Sequence, residues 1–358
     1  MSNISSRKAD HIDLCISGDV GFQKKTTMFE HVELVHDALP DLALSDIDLR
    51  TEFAGVPLKA PLVIAAMTGG VDRAETINRD LAKTAEKYGI GFAFGSQRPW
   101  LSKGIKEGYL VRDVAPTTLI LGNIGIVQAT ETSNTVLQAM LEETGVNALC
   151  VHLNPAMELV QPEGDQDFRN GIETLKRLQH LSIPIVVKET GCGLSRSLGV
   201  RIRELGIEWV DISGSGGTSW VAVETHRAKD SKHQLGHTFW DWGIPTAASV
   251  GQLNGLGLRS CATGGIKNGV MIAKALAMGA SCGGMARAFL QAYANGGIEE
   301  LESSIEQVIS EIRISMLLSG AQNIAALQSK PLVLSDQLLR WIPRSSPLYR
   351  RQLCLQTF

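Results

Sequence analysis

Where the apolar run NALCV ends, the chain turns polar: HLNPAMELVQPEGD, His152 to Asp165, carries a histidine, amides and two glutamates five positions apart. Glu158 and Glu163 place carboxylate oxygens just beyond that run. Glu163, in PEG, reads as a loop-stabilising carboxylate. Zinc is not indicated, since His152 has no cysteine or histidine partner at ligand spacing. Two glycine-rich turns, TGGIKNG (263–269) and GGMARA (283–288), each precede helix-like sequence. Backbone N–H groups at such a turn, backed by a helix N-terminus, can hold a phosphate, although either turn alone is also just a tight turn. Lys188 closes the apolar run in VVKETG. A cation there would stabilise negative charge at the N1/O2 edge of a reduced flavin, if one is bound. The plainer reading is an ion pair with a carboxylate at the end of a neighbouring strand. Ser96, Asn123, AAMTGG and SGSGGTS add small hydroxyls, an amide and exposed backbone, which suit the polar edge of a ring system.

These residues need a scaffold that brings distant strand ends together. From residue 61 onward, short runs rich in Val, Ile and Leu recur at 61–70, 89–97, 118–125, 148–154, 184–191, 209–217, 259–265 and 281–288, and each ends in a polar or glycine-rich turn. Between them lie helix-like stretches such as 73–89 and 171–181, with glycine expected at their C-terminal stop. Strands buried on both faces and alternating with helices indicate a parallel sheet. An open doubly wound sheet would gather its unusual residues at one switch point, whereas all eight runs here carry theirs at the C-terminal end, which predicts a (β/α)8 barrel. Residues 1–60 form an N-terminal extension that can fold over the site, and the chain after about 300 forms a helical tail. No Pro/Ser-rich linker divides the chain, so 1–358 reads as one domain.

Composition narrows the function further. With 34 basic and 37 acidic residues among 358 and no basic block, nucleic acid is not an expected partner. The six cysteines are dispersed without C-x-x-C and read as reduced thiols. No apolar run reaches the roughly 18 residues of a spanning helix, and the N-terminus lacks a signal-like apolar core, so no membrane is expected and the location predicted is cytoplasmic.

RKADHI, MTGG, GSQR, HLN with Glu158 and PEGD, VKETG, SGSGGTSW with Glu224, TGGIKNG and GGMARA stand in an order, from residue 7 to about 290, that resembles the type 2 isopentenyl diphosphate isomerases. That family interconverts isopentenyl and dimethylallyl diphosphate on a (β/α)8 barrel. The resemblance implies FMN, Mg2+, NADPH as flavin reductant and a homo-oligomer, tetramer or octamer. By motif, FMN would meet Ala66, Met67, Thr68, Ser96, Asn123, Lys188, Ser213, Thr218, Gly264, Gly265, Ile266, Ala286 and Arg287. The diphosphate would meet Arg7, Lys8, His11, Ser96, Gln97 and Arg98, several donors for several negative charges. Glu158 would hold the metal, with Glu163 second. Trp220 would stabilise a carbocation-like transition state beside the reduced flavin, and His152, Asn154 and Glu224 would position groups or relay protons. For Trp220 the plain alternative is a core tryptophan.

One position departs from the family pattern. Met157 stands where a glutamine approaches the reacting carbons or the diphosphate, and a thioether can neither donate a hydrogen bond nor relay a proton. Gln161, one helical turn on, would supply the missing amide. Two other readings stay open. An FMN oxidoreductase of the 2-hydroxy acid oxidase type needs a histidine beside its late arginine, and TGGIKNG has none before it; the inosinate dehydrogenase type needs a cysteine absent from SGSGGTSW. A catalytically silent flavin-binding barrel is the third.

Overall fold

The computed structural model describes residues 11–16, 18–67 and 72–353. Its centre is a closed barrel of eight parallel strands: β1 (Leu62–Ile64), β2 (Gly91–Ala93), β3 (Ile120–Gly125), β4 (Ala148–Leu153), β5 (Ile185–Glu189), β6 (Trp209–Asp211), β7 (Arg259–Ala262) and β8 (Cys282–Met285). Each falls within one of the eight apolar runs. Consecutive strands are neighbours, and β8 pairs with β1 to close the ring. The fold is a (β/α)8 barrel, as the run-and-turn rhythm predicts.

Side chains alternate across a strand with period two, and this sorts the interior into two regions. Val63, Leu121, Cys150, Val186, Cys261 and Cys282 point into the barrel and form a core of their own, distinct from the larger one between strands and helices. The bottom of this inner core is sealed by an antiparallel hairpin, Thr51–Phe53 with Val56–Leu58, whose Phe53 meets Trp209 edge to face at 5.1 Å. With the bottom packed, the barrel opens at its C-terminal mouth. Continuing the same parity two residues up brings Asn123, His152, Lys188, Asp211, Thr263 and Gly284 inward at that mouth.

The helix expected at 73–89 spans Asp72–Tyr88 and stops at Gly89 with φ +63. The one expected at 171–181 is shorter, Gly171–Leu178, and ends on Gln179 without a glycine. The tail does not begin at 300. A helical stretch, Arg287–Leu318, runs from β8 straight through that boundary and bends at Gly296 and Gly297, where φ +65 at Gly297 is open to a residue without Cβ. The N-terminal extension is tied to the tail by an antiparallel ribbon, Val32–Leu34 with Leu332–Leu334. No helix among the described residues is long and apolar enough to cross a membrane.

Candidate active site

The mouth holds a cavity of about 610 Å3, within the roughly 300–1,000 Å3 usual for small-molecule sites. Strand register builds its floor: His152 on β4 lies beside Lys188 on β5, which lies beside Asp211 on β6. Lys188 Nζ donates to the Glu189 carbonyl at 2.6 Å and stands 3.3 Å from Asp211 Oδ2. Asp211 Oδ1 also accepts from the Thr263 hydroxyl. The strand-end ion pair therefore exists, and Lys188 faces the cavity as well. Asn123 Nδ2 donates to the Phe94 carbonyl, which turns its Oδ1 toward His152 Nδ1 at 2.9 Å. An amide oxygen only accepts, so Nδ1 is the donor in this contact.

After β4 the chain enters a short helix, Pro155–Val160, with proline in its first turn and Asn154 at its N-cap. Asn154 Nδ2 donates to Glu158 Oε1 at 2.7 Å, and the Asp165 amide donates to Oε2 at 2.9 Å. Glu158 is 7% exposed yet has no basic side chain paired with it among the described residues; its charge is held by dipoles and faces the cavity. Gln161 caps the helix, and its amide donates to the Met157 carbonyl at 2.9 Å. Both 157 and 161 line the cavity, as one-turn spacing requires.

The opposite wall is built for close backbone approach. Gly264 and Gly265 have φ +98 and +71, and a Cβ at Gly264 would collide with the Gly214 carbonyl. The 32-residue helical stretch that follows β8 starts at Ala286–Arg287 with no side-chain cap, so its first N–H groups are available at the cavity edge. Ser213, Thr218, Ile266, Ala66, Met67 and Ser96 complete this side.

Residues 11–16 and 18–22 lie across the mouth as a strap, with His11, Ile12, Cys15, Gly21 and Phe22 lining the cavity. His11 Nε2 meets Glu224 Oε1 at 2.8 Å, and the imidazole packs edge-on against Trp220 at 5.3 Å. Burial raises the Glu224 carboxyl, but His11 and Arg227 outweigh it and hold the group below the usual carboxylate range. At the strap's other end Arg287 donates to the carbonyls of Cys15 and Gly18 at 2.8 and 2.7 Å. The Arg287 side chain is thus a strap anchor as well as part of the cavity lining.

Three residues expected at the site do not line it. Gln97 is fully buried, its Oε1 accepting from the Asn123 amide at 2.9 Å inside the barrel wall. Glu224 sits behind His11, and Glu163 is exposed beyond the helix end. Arg7, Lys8 and Thr68 lie outside the described residues. Several lining residues had drawn no notice in the sequence, among them Phe22, Gln128, Asp211 and Gln291; the parity of β6 would have pointed to Asp211.

Among the described residues no group of three His, Cys, Asp or Glu side chains could hold a metal ion by itself. Glu158 fits an ion that also takes oxygens from a bound anion. The glycine turns, the uncapped helix start and the inward ammonium fit a phosphate-bearing ring cofactor.

The pattern of the FMN-dependent dehydrogenase family matches residues 1–153 and 123–334. The isopentenyl-diphosphate delta-isomerase of Methanothermobacter thermautotrophicus is 39% identical over 343 residues, covering 95% of this chain and 96% of its own. That of Pyrococcus horikoshii is 41% identical over 349 residues, 94% of each. A mandelate oxidase solved with (S)-4-hydroxymandelic acid superposes with a TM-score of 0.65 at 16% identity, over 91% of this chain and 95% of its own, a likeness of fold.

Proposed function

The chain belongs to the FMN-dependent dehydrogenase family and to the isopentenyl-diphosphate delta-isomerases, and from that membership we propose that it interconverts isopentenyl and dimethylallyl diphosphate with FMN in the barrel mouth, Mg2+ on the substrate and NADPH as reductant. The observation that carries this reading is one cavity lined both by charged groups, Arg98, Glu158 and Lys188, and by an apolar cluster of Met157, Phe22 and Trp220. A diphosphate head and a short branched alkenyl tail need both.

Gly264, Gly265 and the backbone at Ala286 would hold the FMN phosphate, and Lys188 would set an ammonium against its ring. When bound, reduced FMN supplies an electron-rich ring that can give and take a proton beside the alkene. The isomerisation forms one C–H bond at the terminal alkene carbon and breaks another across the allyl unit, with no net redox change. His11, Ser96 and Arg98 would bind the diphosphate, and Glu158 would hold the Mg2+ that bridges it. Trp220 would face the positive charge that develops on the tail. His152 and Asn154 would orient the substrate, His152 as the candidate for proton relay, and Gln161 would do the work of the missing glutamine. Glu224 acts one step back, fixing the His11 ring.

The test is anaerobic reduction with NADPH, then isopentenyl diphosphate and Mg2+ in D2O. Deuterated dimethylallyl diphosphate should appear without stoichiometric NADPH consumption. Net oxidation of a hydroxy acid would favour an oxidase, and bound FMN without turnover a silent barrel.

A further inference from the structure

Asp165 joins two parts of the site that come from different strands. The loop after the Pro155–Val160 helix folds back at Gly164, where any Cβ would collide with the Glu158 carbonyl. That fold-back brings the Asp165 amide to Glu158 Oε2 at 2.9 Å. The Asp165 carboxylate turns the other way. Its Oδ2 accepts from Gln128 Nε2 at 2.8 Å and lies 3.9 Å from Arg98 Nη1. Gln128 and Arg98 both line the cavity.

We propose that Asp165 is a positioning residue, its backbone aiming the Glu158 carboxylate and its side chain aiming Arg98 and Gln128, so that the cation-binding and anion-binding edges are set by one residue. The inference rests on the reading that Glu158 faces Mg2+ and Arg98 the diphosphate. Stability is not what the Arg98 contact supplies. The two side chains are 31% and 25% exposed, and such a pair contributes about 1 kcal/mol or less. Orientation is what remains: a guanidinium held at one end presents its other N–H groups to a ligand with less rotamer freedom to lose.

Because the two roles use different atoms, they separate by mutation. The assay is calorimetric binding of isopentenyl diphosphate to the oxidised FMN-loaded protein, once with Mg2+ and once with EDTA. Affinity in EDTA reads the Arg98 side, and the gain on adding Mg2+ reads the Glu158 side. Asp165→Ala should weaken binding in EDTA about tenfold and keep the Mg2+ gain; Asp165→Asn, which keeps an oxygen for Gln128, should lose less. Gly164→Ala should keep the affinity in EDTA and lose most of the Mg2+ gain. Flavin absorbance of all variants should match the wild type. Unchanged or tighter binding by Asp165→Ala would overturn the proposal, the latter because the carboxylate would then only compete with the diphosphate for Arg98. Equal losses of both quantities in both variants would overturn it too. A wild-type protein that shows no binding, or no Mg2+ gain, would instead sink the isomerase reading beneath it.

Discussion

Replacing Lys188 by methionine tests whether the strand-end ion pair is a structural fixture or a cofactor contact. The ammonium is 3.3 Å from Asp211 Oδ2, and the two residues are 6% and 7% exposed. Lys188→Met removes the cation and leaves Asp211 buried with the Thr263 hydroxyl and the Arg259–Ala262 strand as its surroundings. Breaking a buried pair from one side costs about 3–5 kcal/mol, because the remaining charge is uncompensated. Lys188→Met/Asp211→Asn removes that charge too, and the amide can still accept from Thr263. The double variant should therefore recover most of the loss, to within about 1 kcal/mol of wild type in urea unfolding of the apoprotein. Flavin retention should move differently. Both variants lack the cation facing the cavity, so both should release FMN on dialysis while the wild type keeps it. A double variant no more stable than the single one would refute the energetic argument. A double variant that stays fully yellow would refute the cofactor role and leave Lys188 as a structural ion.

Two further outcomes follow from the same cavity. Gln161→Ala should lower kcat by about 10²-fold or more, the scale of a lost proton-handling group, and Met157→Gln in that background should restore much of it; unchanged turnover on the first substitution would end the compensation argument. Glu189 is buried with its carboxyl raised from 4.5 to about 7, burial outweighing the amides of Cys192 and Thr190 that pull it down. The native state then holds this proton more tightly than the unfolded chain, so its contribution to stability is complete below pH 4.5 and lost as pH rises through about 7. The loss is on the order of 3 kcal/mol, and thermal melts of Glu189→Gln across that window should be flatter than those of the wild type.

The barrel was legible because each strand is buried on both faces and so reads as a short apolar run. The inward layer was legible for a related reason: a polar residue two positions beyond an inward apolar one, as at Cys150 and His152, can only face the open mouth. The turns after the strands were not legible in the same way. Ser96, Gln97 and Arg98 are consecutive, but Gln97 is the N-cap (φ -84, ψ 15) of the Arg98–Lys103 helix, and the chain turns there so that the three side chains diverge. Ser96 and Arg98 line the cavity while Gln97 turns into the wall to accept from Asn123. A motif read as three neighbouring ligands thus yields two. The ribbon between Val32–Leu34 and Leu332–Leu334 has no local signal at all, since three residues show no periodicity and their partner is about three hundred positions away.

Position 157 shows what a motif departure means once the walls are known. Met157 stands where the cavity meets Phe22 and Trp220, beside Thr190 and Gly191. A thioether is flexible, asks for no hydrogen bond and packs well against aromatic edges. Its sulfur lies 4.0 Å from Asn154 Nδ2, whose firmer bond is the 2.7 Å one to Glu158. Gln161 is on the same face, 1% exposed and also in the cavity wall. With methionine at 157, the side-chain amide on this face of the helix is that of Gln161, and the wall beside Trp220 is apolar at 157. That is the side on which an alkenyl tail and its developing charge would be held, so the methionine is compatible with an active isomerase provided that Gln161 reaches the reacting groups.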